Sequence, residues 1–345
     1  MRILVAGDSY MGADYFRRGL EPLERQHEIV FIEIGEGKSF VPVTASELAL
    51  RETIGAPGDL LRYMDGVDVL VVHGAPVTEE VLRASESLQL VCCARGGPVN
   101  IDVDAASSRG IPVVTTPGKN AEAVADQTIA FMVMLARGFG RAQRFLLDGG
   151  TVGGSAFEGR DFMGDELGGQ GLGLVGYGHV GRRVAARADA FGMETVVYDP
   201  FVDGGNGVVQ VTALEELLVR SRFVSLHTRA TPQNVDFFGT REFATMQRGA
   251  FFINTARETL VDEQALDRAL DSGQLGGAAL DVLRPHSGNG PHPILRHRNI
   301  VVTPHIGGAT EQTLQRGAAM ISREIQRFTQ REQLTNVANG EAVDI

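Results

Sequence analysis

The run Leu172-Gly-Leu-Val-Gly176-Tyr-Gly178-His-Val-Gly181 constrains this chain more than any other stretch. An apolar strand enters a GxGxxG turn, and a helix continues to about Phe191. A second apolar strand, Thr195-Val-Val-Tyr198, follows and ends at Asp199. This is the order that a dinucleotide site requires. Gly176 permits the tight turn, Gly178 lets the backbone approach a pyrophosphate, and Gly181 lets helix and strand pack closely. The helix start at His179 and Val180 offers free N–H groups to phosphates. An acid at the position of Asp199 accepts both ribose hydroxyls and repels a 2′-phosphate, which favours NAD over NADP. In a chain with 43 glycines a GxGxxG match alone is weak, so the flanking strands, the helix and the acid carry the argument.

Length and charge fit an enzyme of two ordinary domains. The chain has 345 residues, with 43% hydrophobic and 22% charged residues. Its net charge of −11 argues against nucleic-acid binding and against a polybasic membrane contact. Residues 1–7 read as a strand entering a loop and not as a signal peptide, and no apolar run reaches membrane-spanning length. The two cysteines, Cys92 and Cys93, are adjacent in an apolar strand, which points to buried free thiols and a cytoplasmic location.

The first 118 residues alternate strands (3–6, 28–34, 68–73, 88–94 and 112–115) with helices (13–25, 78–84 and 102–109). This grammar predicts a small parallel sheet. Residues 35–59 break the rhythm and read as a long surface insertion. A long helix is expected over 121–147, with Pro117-Gly118 before it as a hinge, and a glycine-rich loop over 148–169. Further strands are expected at 223–227, 250–254, 277–281 and 300–303, and a final helix at 311–331.

Three of these strands end in chemistry-bearing residues: Ile253-Asn-Thr255-Ala256-Arg257, Ala278-Ala-Leu-Asp281, and Thr303-Pro-His305-Ile-Gly307-Gly308. Hydride transfer from an alcohol carbon needs a base for the hydroxyl proton, and histidine titrates in the useful range. A carboxylate substrate needs a bidentate cation, which arginine supplies. Taken singly, a strand-end histidine is more often structural, and Arg257 is as readily a salt-bridge partner. Their joint occurrence downstream of a dinucleotide turn is what points to catalysis. His286, His292 and His297 lie on a loop without the spacing of a metal site.

With these motifs in hand, the chain resembles the D-isomer-specific 2-hydroxyacid dehydrogenases, which include phosphoglycerate, glycerate, D-lactate and formate dehydrogenases. GYGHVG with Asp199, INTAR with VDE, LDV and TPHIGG occur in family order, as does 110–118 leading into 120–125, so that nearly the whole chain is covered. The resemblance implies two doubly wound parallel-sheet domains. A discontinuous flavodoxin-like substrate domain would span 1–118 plus 312–345, and an NAD-binding Rossmann domain 119–311, with substrate in the cleft. Arg257 would bind the substrate carboxylate and carbonyl, His305 would be the acid/base, and Asp281 would hold the nicotinamide amide. His227, Thr228, Pro232, Thr255, Ala256, Gly307 and Gly308 would line the cofactor together with Arg257 and His305. Relatives also imply a homodimer formed through the nucleotide domain, with the 121–147 helix as the contact.

Two departures stand out. The family glutamate that pairs with the catalytic histidine is replaced by His286, five residues after Asp281. His286 is expected to orient His305 as a neutral ring and to give a pH profile unlike that of Glu-bearing relatives. Glu258, where the family has a small residue, is either a substitute acid or an exposed side chain. The substrate loop is also shorter, Arg95-Gly96-Gly97-Pro98, with the two glycines able to form an anion nest. If Arg95, Arg257 and Arg284 converge, the site suits a phosphorylated or phosphonate-bearing hydroxy compound. Two other readings stay open: an NAD(H)-sensing interaction module like the C-terminal binding protein corepressors, and an oxidoreductase for an alcohol without a carboxylate.

Overall fold

The computed structural model describes residues 1–35, 50–150, 162–202 and 208–340. Most of the expected insertion (36–49) and half of the glycine-rich loop (151–161) lie outside the described residues. The chain divides into two compact units, Met1–Lys119 with Thr310–Ile345, and Asn120–Ala309. No helix among the described residues is long and apolar enough to cross a membrane.

The first unit holds a parallel sheet of five strands: β1 (Arg2–Gly7), β2 (Glu28–Glu33), β3 (Val69–Val72), β4 (Leu90–Cys93) and β5 (Val113–Val114). Their spatial order is β2-β1-β3-β4-β5, so the winding reverses between β1 and β3. Strands covered on both faces read as continuous apolar runs, because successive side chains enter opposite cores. Ile3, Val5, Val69, Val71, Leu90 and Cys92 face one core. Leu4, Ala6, Leu70, Val72, Val91 and Cys93 face the other. α1 (Ala13–Leu20) and the C-terminal helix cover the first face, whereas α2 (Pro57–Leu61), α3 (Glu79–Arg83) and α4 (Val103–Ser108) lie toward the second. The expected helix over 13–25 is shorter, because Pro22 lacks an N–H and the chain tightens into a 3₁₀ turn at Glu21–Leu23.

The second unit begins with α5 (Ala121–Ala136) and α6 (Phe139–Leu147). These replace the single long helix expected over 121–147. Gly138 breaks it by adopting the left-handed conformation (φ +63°), which a residue without Cβ takes at little cost. The carbonyl of Ala136, freed by the break, accepts from Asp165 N at 2.8 Å. α5 buries ten residues and α6 none.

A sheet of seven parallel strands follows, in the order β12-β11-β10-β9-β6-β7-β8. The strands are β6 (Gly171–Val175), β7 (Glu194–Tyr198), β8 (Val209–Gln210), β9 (Phe223–Leu226), β10 (Ala250–Asn254), β11 (Leu275–Leu280) and β12 (Ile300–Val302). α7 (His179–Ala190), α8 (Leu214–Arg220), α9 (Thr240–Thr245) and α10 (Glu263–Asp271) connect them, and α11 (Glu311–Thr329) returns to the first unit. Both units are therefore doubly wound parallel α/β structures, as expected from the sequence. β8 and helices α8 to α10 had not been singled out there, because each is too short to show a clear apolar period.

Candidate active site

One row of paired residues crosses the second sheet at its C-terminal edge: Tyr198, Val175, Leu226, Asn254, Leu280 and Val302. The next residue on each strand is Asp199, Gly176, His227, Thr255, Asp281 and Thr303. Sheet register thus lines up six separate segments at one edge. The winding reverses between β6 and β9, the place where open α/β sheets bind ligands.

The glycine turn occupies that reversal. Gly176 has φ +102°, and a Cβ there would lie 2.7 Å from the carbonyl carbon and oxygen of His227 and 2.8 Å from Thr228 N. A Cβ on Gly181 would strike the Gly176 carbonyl oxygen, so α7 sits directly on the turn. Gly178, in contrast, has nothing within 4 Å of its Cβ position and caps α7 without a side-chain bond. The result is a tight turn with one open face at a helix N-terminus, followed by exposed His179 and half-buried Val180. Asp199 is fixed beside it, its Oδ2 accepting from Tyr177 N at 2.7 Å and its Oδ1 from Phe201 N at 2.9 Å. These features fit a dinucleotide: space where a pyrophosphate needs it, free N–H groups, and an anchored acid for the ribose.

His227 follows β9, and its Nε2 meets Ser225 Oγ at 2.9 Å. The residue is half-buried by area, but its ring is desolvated, which pushes its pKa down to about 3. The ring is therefore neutral. Thr228 is half-buried, and Pro232 opens an exposed 3₁₀ turn, Pro232–Asn234. Thr255 is buried, with its hydroxyl 3.3 Å from that of Thr128 on α5. Ala256 is half-buried. Arg257 is exposed, its Nη1 donates to the Ala256 carbonyl at 2.7 Å, and no acid pairs with it among the described residues.

Asp281 is 2% exposed and organises the last loop. Its Oδ1 accepts from Gln127 Nε2 (2.9 Å), Thr303 Oγ1 (2.6 Å) and Ile306 N (2.8 Å), and its Oδ2 accepts from Gly307 N (2.7 Å). Its carbonyl accepts from His305 N at 2.9 Å. His305 itself is exposed and has φ +56°, a left-handed conformation uncommon for a residue with a side chain. The carboxylate thus folds the turn that presents the imidazole. Gln127 and Thr303 went unnoticed in the sequence. A buried strand-end acid demands donors, but nothing in the sequence says which. Half-buried Gly308 lies against Asn120, whose Nδ2 would be 3.1 Å from a Cβ there.

Other expected contacts are not made. No hydrogen bond joins His286 to His305 among the described residues. The exposed His286 ring instead packs edge-on to His292 with centroids 5.5 Å apart, and His292 lies 3.5 Å from Glu263. Glu258 starts a 3₁₀ turn and makes no side-chain hydrogen bond or ion pair there among the described residues. Arg284 pairs with Asp236, and in the other unit Arg95 pairs with Glu52. Gly96 and Gly97 have open space at their Cβ positions. Among the described residues Asp267, Asp271 and His297 gather, because α10 places two acids four residues apart. Arg296 already bridges both carboxylates at 2.5 and 2.6 Å, so their charge is met within the protein.

Residues 129–307 match the family model described as D-isomer specific 2-hydroxyacid dehydrogenase, NAD binding domain. NAD is accordingly the dinucleotide of the second unit. The chain is 33% identical over 324 residues to the D-3-phosphoglycerate dehydrogenase of Methanocaldococcus jannaschii, covering 92% of this chain and 58% of the relative. It is 35% identical over 289 residues to the enzyme of that name from Rattus norvegicus, covering 83% and 53%. The chain spans little more than half the length of these curated relatives. The crystal structure of the TT0316 protein from Thermus thermophilus matches with a TM-score of 0.78 and 32% identity, covering 98% of this chain and all of that one.

Proposed function

The chain belongs to the D-isomer-specific 2-hydroxyacid dehydrogenases, and we propose that it transfers hydride between NAD(H) and a small anionic 2-hydroxy or 2-oxo acid. The carrying observation is the single register row that brings the glycine turn, Asp199, Arg257, Asp281 and the His305 loop to one sheet edge. In this reading the glycine turn and the start of α7 hold the pyrophosphate, Asp199 holds the adenosine ribose, and His227, Thr228, Pro232, Thr255 and Ala256 line the cofactor. The bound nicotinamide supplies the hydride acceptor or donor. Arg257, with no acid to neutralise it among the described residues, binds the substrate carboxylate through its fork and polarises the reacting carbonyl. His305 takes the hydroxyl proton during oxidation and returns it during reduction. Asp281 keeps His305 in its left-handed turn, and its Oδ2, with one internal donor, has capacity left for the nicotinamide amide.

The names of the relatives favour a phosphorylated substrate, whereas the pairing of Arg284 with Asp236 favours a singly charged one. The unpaired Arg257 also argues for turnover over sensing, because a pure NAD(H) sensor has no use for a carboxylate clamp. NADH oxidation against 2-oxo acids with and without a phosphate or phosphonate tests the reading. Simple 2-oxo acids are expected to turn over. His305→Gln should lower kcat by about 10²-fold or more with NADH affinity retained, and Arg257→Lys should chiefly raise KM. Tight NADH binding without turnover of any 2-oxo acid would overturn it in favour of the sensor.

A further inference from the structure

Among the described residues the Asp281 carboxylate has four donors, and three of them, Thr303, Ile306 and Gly307, belong to the turn that the carboxylate itself folds. The fourth, half-buried Gln127, comes from α5, a helix of 16 residues of which ten are buried. Gln127 is therefore what ties this carboxylate to a rigid element outside its own turn. Both residues lie in the second unit.

The amide nitrogen is fully used. Gln127 Nε2 donates one hydrogen to Asp281 Oδ1 at 2.9 Å and the other to Thr303 Oγ1 at 2.8 Å. The Thr303 hydroxyl, having accepted, donates its own hydrogen to the same Oδ1 at 2.6 Å. The three groups form a closed ring in which every proton is assigned. The reverse orientation of the amide would set an oxygen against the carboxylate. The Gln127 oxygen instead lies against Gly307, 3.4 Å from where a Cβ would stand.

This leaves the two carboxylate oxygens unlike each other. Oδ1 carries three donors, whereas Oδ2 carries only Gly307 N. A carboxylate oxygen offers about two lone-pair sites, so Oδ1 is saturated and Oδ2 keeps one free. Packing alone does not call for an amide at this position. The same helix meets the core through buried Val124 and Ile129, and a methionine would fill the volume of Gln127. What a methionine would not do is hold the Asp281 side chain against rotation about its own bonds.

We propose that Gln127 is a positioning residue for the nicotinamide half of NAD. By filling Asp281 Oδ1 and tying it to α5, it makes Oδ2 the oxygen that accepts from the nicotinamide carboxamide. The proposal rests on the role given to Asp281 above, and the ligands of the test are chosen so that the two fail separately.

The experiment is equilibrium binding to the full-length chain, without substrate, of NADH, of its 3-acetylpyridine analogue and of ADP-ribose. The analogue carries a methyl ketone in place of the carboxamide, so it has no N–H for Asp281, and ADP-ribose lacks the ring altogether. The native chain is expected to bind NADH more tightly than the analogue. Gln127→Met keeps the length of the side chain and deletes both donors. It should weaken NADH about tenfold while leaving the analogue and ADP-ribose nearly unchanged, so that the preference for the carboxamide collapses. Gln127→Leu, which deletes the donors in another shape, should do the same. Equal binding of NADH and the analogue by the native chain removes the role of Asp281, and the proposal with it. A preference that survives in both variants leaves Asp281 in its role and overturns the proposal. An equal loss for all three ligands also overturns it, because it marks Gln127 as a residue needed only by the fold. None of these outcomes depends on turnover of a 2-oxo acid.

Discussion

A methyl group on Gly176 would meet the His227 carbonyl at 2.7 Å, in a backbone conformation (φ +102°) that side chains rarely adopt. Neither obstacle can yield without moving a strand. Gly176→Ala is therefore expected to destabilise the second unit by about 2 kcal/mol or more and to abolish NADH binding. Gly178→Ala meets nothing within 4 Å and should leave the melting temperature nearly unchanged while weakening NADH binding. Thermal melts and NADH titrations of the two variants separate a glycine needed by the chain from one needed by the ligand. His227 makes a prediction about pH. Its folded-state pKa of about 3 lies below the roughly 6.5 of an unfolded histidine, so the unfolded chain binds more protons as pH falls through that interval. Stability should be fully present above pH 6.5 and be lost on acidification toward pH 3. Urea titrations between pH 6.5 and 5 should show a shallower decline in His227→Gln.

At the scale of elements, the strands of both sheets other than β8 were legible because burial on both faces leaves continuous apolar runs such as Val69–Val72 and Ala250–Ile253. The glycine turn and the strand-end Arg257, Asp281 and His305 were legible for the same reason, since each lies within three residues of the end of such a strand. The helix break at Gly138 was not, because apolar residues continue on both sides and one glycine does not announce its φ. The donors of Asp281 were hidden by distance in sequence, with Gln127 lying 154 residues away. α6 carries the next prediction. Phe139, Phe145, Leu146 and Leu147 are 51%, 37%, 46% and 74% exposed on a helix with no buried residue. Such a face is suited to a second copy of the chain. Sedimentation should give a dimer for the native chain and half that mass for Leu146→Glu/Leu147→Glu, with NADH binding retained.

Over the whole molecule, each unit encloses its own pair of hydrophobic layers, and the first unit is completed by α11 from the far end of the chain. A Cβ on Gly19 would come within 2.6 Å of the Ala318 Cβ, so α1 and α11 approach as closely as a glycine allows. Gly19→Val should destabilise the first unit by about 1–3 kcal/mol. NADH at a hundred times its Kd should add about 2.7 kcal/mol to the second unit alone. Calorimetry would then show the substitution and the ligand moving different transitions. The neighbouring thiols offer a finer view. Cys92 belongs to the layer built with α1 and α11, and Cys93 to the opposite one. Burial raises both thiols, Cys93 to about 11, so neither is reactive in the closed molecule. Two adjacent positions in the chain are therefore two built-in reporters on opposite sides of one sheet. The order in which a thiol reagent finds them would reveal which side of the first unit breathes first.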